Sequence, residues 1–381
     1  MKDQLNLSDP IYLDYNATTP IDPQVADAME PFLRQKFGNP SSGHVYGVKT
    51  KIAVNKARKQ LAELINCEPE NLIFTSGGTE SNNYAIRGFA FANRARGNHI
   101  ITSVVEHPAV INVCKYLEVH GFQVTYLPVD RFGTVDTDHV LEAVKEETIL
   151  ISIMHANNEV GTIQRIKQIA ETAHKNEIIL HCDAAQSLGK IAVDINELGV
   201  DLLSIAGHKL YAPKGVGALY VKPGIELEKF MIGGNQENDK RAGTENVLEI
   251  VGLGKAAEIA KENLQQEMKK NTELRDLLQA ELQKAFPDAK LNGHPTQRLP
   301  NTLNISFKDV DEFAILEIFS EVAASAGAAC HSDTVSISPV LEAMQVSLEY
   351  ARGTIRFSVG RFTKKSDILT TLKIVKGILK K

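Results

Sequence analysis

Seven short runs rich in β-branched and apolar residues, "NLIFTS", "HIITSVV", "QVTYLPV", "TILISIMHA", "IILHCDAA", "LLSIAGH" and "GALYV", recur between residues 71 and 221. Between them lie stretches with helical patterning, such as "VNKARKQLAELIN" and "QIAETAHKN". Alternation of this kind predicts a layered α/β sheet, because each strand must be covered by the helix that follows it. Ligands of such sheets gather in the loops beyond the strand ends, so residues there carry the most information. Near residue 255 the character changes. "GKAAEIAKENLQQEMKKNTELRDLLQAELQKAF" reads as one long amphipathic helix bridging into a second unit. That unit is a smaller α+β arrangement of "NTLNISF", a helix near "VDEFAILEIFSEV", a loop around Cys330, "GTIRFSV" and a final basic helix. A chain of 381 residues is long enough for two or three such units.

A formal charge of −5 offers no electrostatic reason to expect nucleic acid or an anionic membrane as partner, and a small molecule is the expected ligand. The four cysteines, Cys67, Cys114, Cys182 and Cys330, form no CxxC pair. Neither a disulfide framework nor a zinc ribbon is indicated, no metal is expected, and a reducing compartment fits. The opening "MKDQLNLSDPIYLDYNATTP" lacks the apolar core of a secretory leader, and no segment approaches the roughly 18 apolar residues of a membrane helix. The expected location is cytoplasmic.

Three stretches carry chemistry. "FTSGGTESNNYAI" ends a strand at Ser76-Gly77-Gly78-Thr79 and opens a helix, so backbone N–H groups and the helix dipole face one point of phosphate size. No lysine follows the glycines and the spacing is not GxGxxG, which excludes the two common nucleotide loops. Taken alone, such a Gly-Gly turn before a helix is more often just a turn. "IILHCDAAQSLGK" delivers Asp183 to a strand end with Gln186 three residues on. Asp183 is either a helix cap or a carboxylate facing a ring cation. "SIAGHKLYAPKG" puts Lys209 at the next strand end, where a lone lysine is ordinarily solvated. Together, a phosphate turn, an acidic strand end and a lysine on successive units of one sheet match an aldehyde cofactor with a phosphate tail.

With these residues the chain resembles the cysteine desulfurase and selenocysteine lyase family, pyridoxal-phosphate enzymes of the class V branch of the aminotransferase fold. The resemblance runs from "YLDYNATTP" through "FGNPSSGH", "TSGGTESNN", "EHPAV", "MHANNEVGT", "HCDAAQ", "SIAGHKLYAPKG", "GGNQENDKRAGTENV" and "AACHS" to "IRFSVGR". It implies the type I fold: a large domain with a mixed, mostly parallel seven-stranded sheet flanked by helices, expected over residues 15–255. A smaller α+β domain, residues 1–14 and 256–381, would carry the catalytic-cysteine loop.

The resemblance further implies that Lys209 binds the cofactor covalently and shuttles protons once released. Asp183 would keep the pyridine nitrogen protonated, and Gln186 would hydrogen-bond the ring's phenolic oxygen. Thr79, Ser204 and His208, with the backbone around Gly78, would bind the phosphate. His107 in "EHPAV" would stack on the ring and move protons; its rival role is to cap the Pro-started helix that follows. Asn157 would contact the ring oxygen and the substrate carboxylate. Arg356 would clamp that carboxylate, since its fork matches one bidentately. Thr244 is similar to a residue that reaches the phosphate of a neighbouring subunit, implying a homodimer with a shared active site.

"ASAGAACHSDTVSISPVL" is a small-residue loop with one thiol, Cys330, beside His331, a setting in which a thiolate forms near neutral pH. Cys67, Cys114 and Cys182 read instead as small buried hydrophobes. In the family, the loop cysteine takes sulfur from cofactor-bound L-cysteine as a persulfide and L-alanine leaves. The sulfur would pass to an acceptor protein such as an iron–sulfur scaffold. Because "AACHSD" is similar to the wording of selenocysteine lyases, L-selenocysteine is the rival substrate. An aminotransferase or sulfide-releasing lyase, and a non-catalytic sulfur-transfer scaffold, are the competing classes.

Overall fold

All seven apolar runs form strands, and all but the edge strand of the run "QVTYLPV" are buried along nearly their whole length. In the computed structural model, which describes residues 9–310, 312–331 and 334–380 and the side chains of all of these except 312 and 328–336, a two-residue strand β1 (Ile11–Tyr12) precedes them. The seven are β2 (Leu72–Thr75), β3 (His99–Ser103), β4 (Gln123–Leu127), β5 (Thr148–Ser152), β6 (Ile179–Asp183), β7 (Leu202–Ala206) and β8 (Gly217–Val221). They make one sheet in the order β2-β8-β7-β6-β5-β3-β4. β3 to β7 pair in parallel, whereas β8 is antiparallel to both β2 and β7, so β8 alone runs against the rest.

The central strands read as unbroken apolar runs because parallel sheets are buried on both faces. Successive side chains go to opposite cores. Ile101, Ile151 and Leu203 face the helices Val45–Ile65 and Val247–Ala285, while Ile100, Leu150 and Leu202 face Tyr84, Phe89, Val110 and Leu117.

The helix Val247–Ala285 has 39 residues, about 58 Å at 1.5 Å per residue. Its first half buries Ile250, Leu253 and Ile259 against the large sheet, and its second half gives Leu274, Leu278 and Leu282 to a separate core. The boundary expected at residue 255 therefore falls inside one continuous helix. Gly254 lets this helix approach Val45–Ile65, since a Cβ there would lie 2.4 Å from the Ala57 Cα.

The second core lies against a sheet of β9 (Lys290–Asn292), β10 (Thr302–Ser306), β12 (Ser325–Ala326) and β15 (Thr354–Ser358), ordered β12-β15-β10-β9 and antiparallel throughout. β1 pairs in parallel with β11 (Val322–Ala323), and Asp14 bridges to Ser358, so the N-terminal stretch lies on the smaller unit before it crosses to the larger one. The segment around Cys330, read from the sequence as a loop, has the backbone of a two-stranded ribbon. β13 (Ala328–His331) pairs with β14 (Thr334–Ile337), and Cys330 stands opposite Val335.

Candidate active site

Strand direction brings the expected residues together: β2, β3, β5, β6 and β7 all end on one edge of the sheet, and the loops leaving them enclose a cavity of about 270 Å³. β2 supplies Gly78 and Thr79. Gly77, at φ 149°, adopts a backbone conformation that L side chains rarely take, letting the chain turn sharply from β2 into the helical run Gly78–Ala92. A Cβ on Gly78 would stand 3.1 Å from the Ala206 Cβ, so the helix start sits tight against the end of β7.

Asp183 ends β6 and is 6% exposed. Its carboxylate accepts from Asn82 Nδ2 at 2.7 Å and from the Ala185 N–H at 2.9 Å. Among the described residues, no cationic side chain forms an ion pair with it. A buried carboxylate facing a cavity without a cation is a site for one. Lys209, just beyond β7, also forms no ion pair among the described residues: Nζ donates to the carbonyls of Asn16 and, at 2.9 Å, Ala17. Burial, aided by the Arg356 guanidinium and opposed by Asp183 and Asp14, pulls this amine down to about 8. A useful fraction of it is thus uncharged and nucleophilic near neutral pH.

His107 caps the helix that follows it and also lines the cavity. Its Nδ1 accepts from the Ala109 N–H at 3.1 Å, capping Pro108–Val119, and its ring lines the cavity. Burial lowers its pKa against the pull of Asp183, so the ring is neutral, and with Nδ1 accepting, Nε2 carries the proton. His208 lines the cavity with Nδ1 3.1 Å from Thr18 Oγ1, and burial together with Lys209 lowers it to about 4. Gln186 lines the cavity as expected.

Two expectations need correction. Asn157 does not face the cavity: its Oδ1 accepts from the N–H groups of Glu159, at 2.8 Å, and Val160, at 3.0 Å, while Nδ2 donates to the Val105 carbonyl at 3.0 Å. It closes a turn, and the next residue, Asn158, lines the cavity instead. Ser204 lies two residues before the end of β7, about 7 Å deeper at the usual strand rise, and its Oγ is 2.9 Å from His181 Nε2. Ala206, at the strand end, takes the cavity position.

Arg356 projects from β15, with NH2 donating to Asp14 Oδ1 at 2.7 Å and Ser325 Oγ at 2.6 Å, and NH1 to the Asn158 carbonyl at 3.0 Å. Its Nε is buried without a partner among the described residues. Thr244 is exposed and does not line the cavity of its own chain. The segment before it is anchored at the β2 edge by Arg58 on Glu237 and Arg241 on Glu80. The Cys330 side chain lies outside the described residues. Burial pushes Cys67 and Cys114 up to about 12 and Cys182 well above the thiol range, so none of these three supplies a thiolate near neutral pH.

Sequence reasoning missed Asn82, Asn158 and the Asn16–Ala17 backbone. Asn82 carried a signal: it stands three residues after Thr79 and so shares its helix face. Its Oδ1 is a buried acceptor without a partner.

The residues fit pyridoxal 5′-phosphate: a cationless carboxylate for the ring nitrogen, an amine of lowered pKa for the aldehyde, and Gly78, Thr79 and His208 for the phosphate. Fold and cavity define a type I pyridoxal-phosphate enzyme. The chain belongs to the aminotransferase class-V family, whose model matches residues 11–370. Within that family it is 50% identical over 373 residues to the cysteine desulfurase IscS of Dictyoglomus turgidum, covering 97% of this chain and 95% of that one. Among solved structures it resembles a NifS-like protein at TM-score 0.92 and 36% identity, covering 98% of this chain and 100% of the other. It also resembles SspA in complex with cysteine at TM-score 0.81 and 36% identity, covering 93% and 100%. No helix among the described residues is long and apolar enough to cross a membrane.

Proposed function

We infer that this chain is a cysteine desulfurase that converts L-cysteine to L-alanine and receives the sulfur on Cys330 as a persulfide. The observation that carries the reading is the pairing of Lys209, an amine held at about 8 by burial, with the cationless carboxylate of Asp183 across one cavity. Its 50% identical relative is a cysteine desulfurase, which supports the substrate class. When bound, pyridoxal phosphate supplies an electron sink conjugated to the substrate's α-carbon.

The chain's own residues supply the rest. Asp183, fixed by Asn82 and the Ala185 N–H, holds a proton on the ring nitrogen. Gly78, Thr79 and His208 hold the phosphate, and Gln186 donates to the ring oxygen. Lys209 Nζ would hold the cofactor's aldehyde carbon and would move protons at the substrate α-carbon. His107 Nε2–H stacks beside the substrate as a proton donor. Arg356 and Asn158 hold the substrate carboxylate. The Cys330 thiolate forms an S–S bond to the substrate sulfur as Cβ–S breaks. Cβ gains a proton, so cysteine and a thiol become alanine and a persulfide without an outside oxidant. The working enzyme is a homodimer in which Thr244 completes the partner's phosphate site, and the persulfide passes to an acceptor protein, an iron–sulfur scaffold among the candidates.

Cys330→Ala tests the reading. The variant should retain the cofactor's visible band and lose alanine formation, and mass spectrometry of the wild-type chain should find the persulfide on Cys330. Alanine release by Cys330→Ala, or a persulfide on Cys67, would overturn it.

A further inference from the structure

The turn that carries Asp183 and Gln186 also carries a lysine for which the reaction has no evident use. Lys190 is 9% exposed and does not line the cavity. Its Nζ donates to Gln186 Oε1 at 2.6 Å and to Asn16 Oδ1 at 3.1 Å. Gln186 in turn donates from Nε2 to the Asn16 carbonyl at 2.9 Å, the same carbonyl that accepts from Lys209.

Asn16, 1% exposed, is held on every side. Its Nδ2 donates to Thr302 Oγ1 at 2.8 Å and to the Asn158 carbonyl at 3.1 Å. Its backbone N–H donates to Ser358 Oγ at 2.9 Å, and Oδ1 accepts from Asn301 Nδ2 at 2.9 Å as well as from Lys190. The acceptor that Gln186 sees is therefore tied to β10 and β15 of the smaller unit and cannot turn with it.

A primary amide presents one oxygen and one NH₂ group, and a half turn exchanges them. The flipped Gln186 would set its oxygen against the Asn16 carbonyl and take the acceptor away from Lys190 Nζ. Burial pulls the Lys190 amine well down, so its lone pair can meet the flipped NH₂, and it is the buried oxygen–oxygen clash at Asn16 with the lost Lys190 bond that disfavours that state. The NH₂ group thus faces Asn16, and among the described residues its second N–H has no acceptor, leaving it for a ligand of the cavity that Gln186 lines.

We propose that Lys190 is a positioning residue. Acting through Gln186 and Asn16, it fixes the Gln186 amide so that an oxygen on the cofactor ring meets an N–H donor and never the amide oxygen. The inference rests on the cofactor reading above, and the test separates the two.

Wild type, K190M, Q186A and the double variant are compared by the pH midpoint of the bound cofactor's visible band and by the cofactor dissociation constant. K190M should bind about tenfold more weakly, the worth of one such hydrogen bond. It should move the midpoint in the same direction as Q186A, and the double variant should be no worse than Q186A alone. Unchanged values in K190M, or effects that multiply in the double variant, would overturn the proposal while leaving the cofactor reading intact. A wild-type chain with no visible band defeats both. If K190M does not fold, K190Q takes its place under the same criteria, because its amide is one bond too short to span to Gln186.

Discussion

Removing the Arg356 charge should raise the pKa of Lys209, and the rate of cofactor uptake reports it. At about 8, roughly a tenth of the Lys209 amine is free at pH 7. At its ordinary value of 10.5 only about one part in 3,000 would be free, so the cavity increases the reactive amine about 300-fold. Burial is the largest cause and Arg356 the next, with Asp183 and Asp14 opposing both. In Arg356→Gln the amine loses a repelling cation, and Asp14 loses the partner that holds it at 2.7 Å. Both changes raise the pKa of Lys209, while burial keeps it below 10.5. Stopped-flow mixing of cofactor-stripped protein with pyridoxal phosphate measures this directly, because uptake scales with free amine. The wild-type rate should climb tenfold per pH unit and level off above about pH 8. In Arg356→Gln the levelling should move upward and the rate at pH 7 should fall severalfold. A wild-type rate still climbing tenfold per unit beyond pH 9 would refute the depressed amine. An identical profile in Arg356→Gln would refute Arg356 as a cause.

The neighbouring asparagines should separate cleanly. Asn157→Ala should cost about 1–3 kcal/mol in urea unfolding, because the Val105 carbonyl and the Glu159 and Val160 N–H groups lose a buried partner. Asn158→Ala should leave stability near wild type and raise KM for cysteine. Ser204→Ala should leave the cofactor dissociation constant unchanged within about twofold, since its hydroxyl serves His181, and calorimetry of cofactor binding checks this. Arg361→Ala should cost about 3–5 kcal/mol, because the buried Asp22, at 2.6 Å, is left uncompensated and the half-buried Glu267, at 2.7 Å, loses the same partner; thermal unfolding at matched pH measures it. Parallel turnover on L-cysteine and L-selenocysteine should show alanine release from cysteine, and turnover confined to selenocysteine would reassign the substrate.

Most of the sheet was legible because each central parallel strand is buried on both faces and announces itself as a run of apolar residues. Asp183 and Lys209 were legible for a related reason: a polar residue directly after such a run sits at a strand end. The errors share another cause. Asn157 and Asn158 are chemically identical, and only the turn closed through Gly161 decides which one spends its amide on the backbone. Ser204 and Ala206 point to the same face of one strand, and only their depth below the cavity floor separates them. The strand Ala328–His331, which holds Cys330, carries small residues that signal no strand, although its partner Thr334–Ile337 is rich in β-branched residues.

What the sequence determined by itself was the sheet, the strand ends and the residue types waiting there, because burial and chain direction leave a periodic record along the chain. What only the tertiary structure decided was which neighbours those residues met. Asn16 lies 170 positions from Gln186, 174 from Lys190 and 285 from Asn301, yet all three converge on it. Contacts over such separations arise when the two units close on the N-terminal stretch, and no local pattern encodes them.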